Sequence, residues 1–448
     1  MDAQVAIVGA GPVGLWLAAE LRLAGVSVTV FETRLEPDPH SKALTIHPRT
    51  IEILACRGLA EPLLAEGVRI PSGHFAVLDE RLDFSVLDTP YPFTLAVPQA
   101  RTEELLEQHA RAAGADIRRG RRVTAVRAGT GSVEVTTEDG TTLEAAWLVG
   151  CDGVRSLVRE SVGIPYVGTP STVFGWLADV TLAEPPETPI FSYYTEHGQV
   201  MGVPLPGGIH RLVGIDAGDT GAELTLDDVR ARVTAVAGTD WGLHTPVWLS
   251  KFGNAARQAE RYRTGRVLLA GDAAHQHMPA GGVGMNVGIQ DAANLGWKLA
   301  AVVQGRAGDE LLDSYHDERH PVGRDLLRST QAQTALMSNF SPAGRELRAL
   351  LGELIGEQPQ LARSLAERLS GLAVRYPAPV GAHPLVGTRA SDRPLRDGGS
   401  LFTALRSGRP VLVDVGGESA LVRPDGYVAW VGASTERPAV PWFAAEAG

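Results

Sequence analysis

The chain has 448 residues, 44% of them hydrophobic and 21% charged, which is enough for a sizeable core in two or three domains and excludes a disordered or collagen-like chain. Its 41 basic and 52 acidic residues leave a formal charge of −11 at pH 7 without a long basic run, which argues against nucleic acid or an anionic membrane as the main partner. Two cysteines, Cys56 and Cys151, far apart and in no C-x-x-C pair, exclude a disulfide scaffold, a cysteine zinc site and a dithiol redox centre.

Residues 4–9 (QVAIVG) read as a buried strand, 12–24 as an amphipathic helix and 27–32 (SVTVFE) as a second strand, a βαβ opening. A helix starts near Pro48 and stops at Gly58, 73–97 alternates like strands, and 101–113 is a helix closed by Gly114. Arg118, Arg119, Arg121 and Arg122 read as a solvated turn in preference to a phosphate patch, followed over 121–149 by three strands with a turn at Glu138-Asp139-Gly140. From 171 to 252, strand-like runs rich in aromatics surround one helix near 226–237 and mark a separate, mainly antiparallel sheet. Residues 266–275 return to the buried-strand pattern, and 285–304 and 309–330 are helices. An amphipathic helix from 341 to about 372, a Pro/Gly-rich linker and a short αβ-like remnant ending in PWFAAEAG close the chain. No window reaches 18 uninterrupted apolar residues and the opening MDAQVAIVGAGPVG has no signal-peptide pattern, so a soluble cytoplasmic protein is expected.

Three segments carry chemistry. Gly9-Ala10-Gly11-Pro12-Val13-Gly14 lies between strand and helix: Gly9 can make the tight turn, Gly11 can admit a pyrophosphate, and Gly14 can let helix and strand pack closely. Glu32 ends the second strand, where a carboxylate accepts hydrogen bonds from ribose hydroxyls and disfavours a 2′-phosphate, so the dinucleotide is FAD or NAD rather than NADP. The second segment is Gly271-Asp272, at the end of RVLLA and followed by AAHQHMPAGGVGMN. Its aspartate can bind a ribityl hydroxyl, which only FAD has, and the helix starting near Met285 can point its positive end at reduced flavin, though an ordinary strand-to-helix turn explains the segment equally well. The third is Cys151-Asp152-Gly153-Val154-Arg155-Ser156, an acid and a glycine at another strand end.

In this order, GAGPVG, CDGVRSLVR and GDAAHQHMPAGGVGMNVGIQDAANLGWKLA resemble the single-component FAD-dependent aromatic hydroxylases, the p-hydroxybenzoate hydroxylase group, especially its bacterial polyketide- and antibiotic-tailoring members. The resemblance spans roughly 3–330 and implies an α/β protein: a Rossmann-like FAD-binding domain (1–72, 98–168 and 263–340) interrupted by a mainly antiparallel substrate-binding sheet domain (73–97 and 169–262). Residues 341–448 would form a C-terminal helix and a truncated thioredoxin-like remnant. It further implies that Gly9, Gly11, Gly14 and Glu32 hold the ADP half of FAD and that the backbone near Val123 contacts adenine. Arg101 would lie near the phosphates and ribityl chain, Asp152 would serve both FAD and NADPH, and Asp272 would bind the ribityl chain. Pro279, Gly281, Gly284, Met285 and Asn286 would line the flavin edge. Lys42, in Ser41-Lys42-Ala43, stands where the family usually has arginine, replacing a flat guanidinium with a point charge. Lys42, Pro279 and Asn286 are the catalytic candidates.

The activity implied is hydroxylation of a polycyclic aromatic with NAD(P)H and O2 through a flavin hydroperoxide, NADPH or NADH binding transiently because only one Rossmann-type fingerprint occurs. Baeyer–Villiger insertion, antibiotic inactivation, an FAD reductase or oxidase, and a non-catalytic FAD-binding partner are the alternatives. The partners are a small aromatic substrate, in a monomer or homodimer, with neither nucleic acid nor membrane. His74, Trp176, Tyr193, His197 and Arg211 are the substrate candidates, joined by Phe75, Phe174, Tyr194 and Met201, with His197 or His210 as a possible base. His316 and His320 have zinc-helix spacing, but Asp317 replaces the glutamate of that motif and Pro321 follows directly, so zinc is set aside.

Overall fold

The computed structural model describes residues 2–217, 223–396, 398–433, 440 and 442. Its main sheet is built on AQVAIV, Ala3–Val8, which is nearly all apolar and buried, as a parallel strand covered on both faces must be. On one side of it lie Thr142–Gly150 and then Val267–Leu269; on the other lie Val28–Glu32 and then Asp116–Arg119, all in parallel register. Pro12–Leu23 and Gly284–Val303 pack against each other as two apolar helices of this layer. The expected three-stranded meander forms over Val123–Ala128, Val133–Thr137 and Thr142–Gly150. Arg118 and Arg119 were expected in a solvated turn; they instead belong to the edge strand beside Val28–Glu32, where backbone pairing decides their place and Asp116 and Glu107 take their charges.

The second sheet is fully antiparallel, in the order Phe191–Thr195, Gly198–Pro204, Ile209–Asp216, Phe174–Leu182 and Leu243–Gly253. Leu226–Ala237 lies across one of its faces, started by a Thr225–Asp228 capping box and stopped at Gly238 in the left-handed region. Trp176, Ala178, Val180, Val200 and Leu212 form the core under this helix.

The tail differs from its expected single helix. Two helices, Pro342–Glu357 and Pro359–Leu369, meet at Gln358, because the residue before a proline is driven out of helical geometry. By contrast Glu310–Met337 runs straight through Pro321. The closing remnant is a short helix, Leu401–Leu405, and a three-stranded meander, Val411–Val415, Glu418–Val422 and Val428–Ala433. Its Leu401, Phe402, Val413, Ala420 and Val422 belong to the same apolar cluster as Ala3–Val8. Of PWFAAEAG only Trp442 is described, its ring 4.7 Å from that of Trp297.

Buried charges fasten this meander to the helices. Arg423 donates to both carboxylate oxygens of Glu318 (2.7 and 2.8 Å) and to Asp425, and Lys298 Nζ donates to Glu318 at 2.8 Å. Arg49 donates to Glu52 at 2.9 Å and to the carbonyl of Asp425 at 2.6 Å. Burial pulls the Lys298 ammonium down to about 8; it pushes Glu318 the other way, yet Arg423 and Lys298 hold that carboxyl well below its ordinary range. Among the described residues no helix is long and apolar enough to cross a membrane.

Candidate active site

The three motifs meet at the carboxyl ends of four neighbouring parallel strands, Val267–Leu269, Thr142–Gly150, Ala3–Val8 and Val28–Glu32. In that order they place Asp272, Asp152, the Gly9–Gly14 loop and Glu32 in a row about 14 Å long, at about 4.8 Å per strand step. A crevice of this kind is where open α/β sheets bind dinucleotides.

Gly9 stands at φ 105°, and a Cβ on it would lie 2.3 Å from the carbonyl oxygen of Cys151. A Cβ on Gly14 would lie 2.0 Å from the carbonyl of Gly9. Gly11 is the contrast, with nothing within 4 Å of its added Cβ, so its backbone faces open space at the start of an uncapped helix. Such an end, with free N–H groups and the positive pole of the helix, suits a pyrophosphate. Glu32 Oε2 accepts from the N–H of Ala10 at 2.8 Å and Oε1 from that of Arg34 at 2.9 Å. Beside it, a cleft of about 440 Å³ is lined by Phe31, Ile117, Arg118, Arg119, Arg121, Thr137 and Thr141. Val123 opens the strand that pairs with Thr137 at this edge.

Asp152 Oδ2 accepts from the N–H of Val158 at 3.1 Å, whereas Oδ1 is buried without a partner. Burial pushes this carboxyl above its ordinary range, against the hydrogen bonds that favour its charge. Asp272 is exposed, and its backbone carbonyl accepts from the Tyr166 hydroxyl at 2.9 Å. An orphaned carboxylate oxygen, an exposed carboxylate and an open glycine in one row fit a ligand rich in hydroxyl groups that carries a pyrophosphate, as FAD does.

The Pro279–Gly284 loop is held from below. Gly281 and Gly282 take φ values of 73° and 64°. His47 Nε2 lies 2.8 Å from the Gly281 carbonyl, and Asn286 Nδ2 donates to the carbonyls of Gly282 and Thr45, each at 3.0 Å. Asn286 Oδ1 accepts from the N–H of His47 at 2.8 Å. Asn286 is therefore buried and engaged at both ends of its amide, which makes it a brace for the loop. The helix that begins at Gly284 has no side-chain cap, leaving first-turn N–H groups, Met285 among them, beside the loop. Pro279 is exposed.

Lys42 is exposed and in contact with no ion-pair partner among the described residues. Arg101 pairs with Glu66 at 2.7 Å and Glu104 at 2.6 Å, so it would reach a cofactor only by releasing these carboxylates. Burial pushes the Cys56 thiol up to about 12 and the Cys151 thiol further, which disfavours a thiolate at either.

Register sorts the substrate candidates by face. Trp176 and Tyr193 share the helix-covered face, and Trp176 Nε1 donates to Asp216 at 3.0 Å. His210, paired with Val180, lies on that face too. His197 is exposed in the turn before Gly198. Arg211 is on the opposite, inner face, but it is spent on Asp179 (2.7 and 2.6 Å) and on the carbonyl of Ser41. His74 Nδ1 accepts from the N–H of Val77 at 3.2 Å, and burial pulls its imidazole down to about 4.

The inner face presents Tyr194, Met201, Ile215 and Phe252 to an apolar layer completed by Phe75, Ala76, Val77, Met278, Ala280, Met337 and Phe340. This layer joins the sheet to the glycine loop. Period-two alternation could have separated Tyr194 and Met201 from Trp176 and Tyr193, since paired strands fix which parity faces inward. Nothing local marks Phe252, Met337 or Phe340.

A family model described as an FAD binding domain matches residues 2–330. The chain is 45% identical to an uncharacterized aromatic compound monooxygenase of Bacillus subtilis, over 96% of this chain and 94% of that one. It is 43% identical to the rifampicin monooxygenase of Streptomyces venezuelae, over 99% of each. Among solved structures, the anhydrotetracycline hydroxylase of Streptomyces rimosus superposes with a TM-score of 0.89 at 43% identity, covering 97% of this chain and 96% of that one.

Proposed function

The chain belongs to the family of FAD-dependent aromatic monooxygenases, and from that membership we propose that it hydroxylates a polycyclic aromatic of polyketide or antibiotic type, using NAD(P)H and O2. One observation carries the reading beyond the family: the row of Asp272, Asp152, Gly11 and Glu32 lies on the same molecule as an apolar layer that joins the glycine loop to the inner face of a sheet.

The chemistry FAD would supply when bound is acceptance of two electrons from the nicotinamide and activation of oxygen for transfer to a ring carbon. The protein would hold its adenosine half at Glu32 and near Val123, its pyrophosphate at Gly11, and its ribityl chain at Asp272 and Asp152. Lys42 and the uncapped start of Gly284–Val303 would place positive charge near the ring system, and Pro279, Gly281 and Met285 would border it. Asn286 and His47 keep the loop carbonyls occupied, so the backbone N–H groups are the ones offered. The apolar layer excludes water and orients a flat substrate.

No base is needed from the inner face of the sheet. Its one carboxylate, Asp179, is neutralised by Arg211, and the Tyr194 hydroxyl donates to the carbonyl of Asn339 at 2.7 Å. The substrate's own acidity, characteristic of polycyclic phenols, would supply the electron-rich phenolate. A discontinuous nucleotide-binding domain, interrupted by the sheet domain, is part of the same proposal, and the flavin ring would lie between the two.

The test is NADPH oxidation by the FAD-loaded protein against a panel of polycyclic phenols, with ¹⁸O₂ and mass spectrometry. Stimulated oxidation and one labelled oxygen in the product are expected. Oxidation that leaves every ring unchanged would replace this reading with a reductase or oxidase.

A further inference from the structure

Backbone strain in the apolar layer is concentrated in one dipeptide. Ala76 and Val77 are both buried and both left-handed, at φ 52° and 51°. For a β-branched residue such as Val77 this is an outlier conformation that persists only when its surroundings dictate it.

Here they do. Gln333 Oε1 accepts from the N–H of Ala76 at 3.0 Å, and His74 Nδ1 accepts from that of Val77. Arg348 donates to the carbonyl of Ala76 from one nitrogen and to that of Val77 from another, each at 2.9 Å. All four backbone polar groups of the dipeptide are thus taken. The same guanidinium lies over the Tyr194 ring, 3.9 Å from its centroid, and donates to the carbonyl of Leu336 at 3.3 Å. Arg348 belongs to Pro342–Glu357, beyond the residues matched by the FAD-binding model. The effect of this clamp is to keep two apolar side chains in the layer that also holds Met278 and Ala280 of the glycine loop and Met201 and Phe252 of the sheet.

We propose that Val77 is a specificity-determining residue for the aromatic ring and that Arg348 is a positioning residue acting through the Ala76 and Val77 carbonyls. Together they set, from a helix outside the matched domain, how large a ring fits between the sheet and the glycine loop. This inference rests on the monooxygenase reading for the site it concerns.

The test uses the full, FAD-loaded chain and a series of one-, three- and four-ring phenols, each titrated for its change in flavin absorbance, with KM and kcat wherever turnover occurs. Val77→Gly accepts the same φ without strain and removes the side chain, so relative affinity should shift at least about fivefold toward the larger rings. Arg348→Met should raise KM about tenfold while kcat changes less than about threefold, with partial recovery in Arg348→Lys. Thr245→Gly, which relieves a left-handed residue at φ 48° outside the layer, should keep the wild-type ring preference. Wild-type affinity ratios in both Val77→Gly and Arg348→Met, whatever their melting temperatures, would overturn the inference, as would a shift in Thr245→Gly equal to that in Val77→Gly. Rings bound but not oxygenated by the wild type would sink the monooxygenase reading and leave the affinity ratios to judge this one. A wild type that binds no ring of the series would overturn both.

Discussion

Arg211 donates to the carbonyl of Ser41, which joins the inner face of the antiparallel sheet to the segment that carries Lys42. The same guanidinium grips Asp179 at two points, and both side chains are buried. Arg211→Ala would strand the Asp179 carboxylate in a dry setting, at a cost of about 3–5 kcal/mol. The expected result is a melting temperature lowered by several degrees and weaker FAD retention; the double variant Arg211→Met with Asp179→Leu should recover most of the melting temperature and little of the FAD affinity. Calorimetry and FAD titration would check this. Equal recovery of both would show that the Ser41 contact does not matter.

The Gly9–Gly14 loop separates folding from ligand binding. Gly14→Ala puts a Cβ against the Gly9 carbonyl and should damage the fold itself. Gly11→Ala meets nothing in the protein, so its stability without cofactor should stay within about 0.5 kcal/mol of wild type while FAD affinity falls at least about tenfold. Fluorimetric FAD titration against the stripped protein distinguishes the two.

Lys42 invites removal of a charge without removal of packing. It is exposed, so Lys42→Met should leave the melting temperature unchanged. Rapid-mixing reduction of the FAD-loaded protein by NADPH should slow by about tenfold, a loss of about 1.4 kcal/mol in stabilising the developing negative charge. An unaltered reduction rate would remove Lys42 from the flavin site.

Acid should weaken the fold in a defined window. Burial pulls both His47 and His74 down to about 4, whereas in the unfolded chain each takes a proton near 6.5. Between these values the unfolded state binds more protons, so stability is full above about pH 6.5 and falls as the pH drops toward 4. Each histidine contributes at most about 1.4 kcal/mol per pH unit to that slope. Melting temperature against pH should therefore be flatter for His47→Gln and for His74→Gln than for the wild type.

The nucleotide-binding half was legible because its requirements are local. A strand, glycines at fixed spacing and an acid at the next strand end are contiguous, and the capping box at Thr225 announces its helix just as plainly. The substrate face was not legible from composition: aromatics on a strand look alike until pairing assigns a parity, and here it sent Trp176 under a helix and left Tyr193 exposed on the same face, beside Trp241. The position of Arg101 in the sequence points to the cofactor, but its partner Glu66 lies 35 residues away and no local pattern joins them. The break at Gln358-Pro359 was readable, since proline restricts the residue before it, yet the amphipathic period runs across it on both sides.

The knot of Arg423, Glu318, Lys298, Asp425 and Arg49 has a consequence for cooperativity. The matched domain ends at residue 330, but the carboxylate that neutralises Lys298 is shared with an arginine 105 residues later, and the apolar cluster extends as far. Neither side can let go without exposing the other's charge to a setting that cannot solvate it. Denaturant should accordingly melt the first strand and the last meander in a single transition. The segment resembling an appendix is, in folding terms, one of the walls.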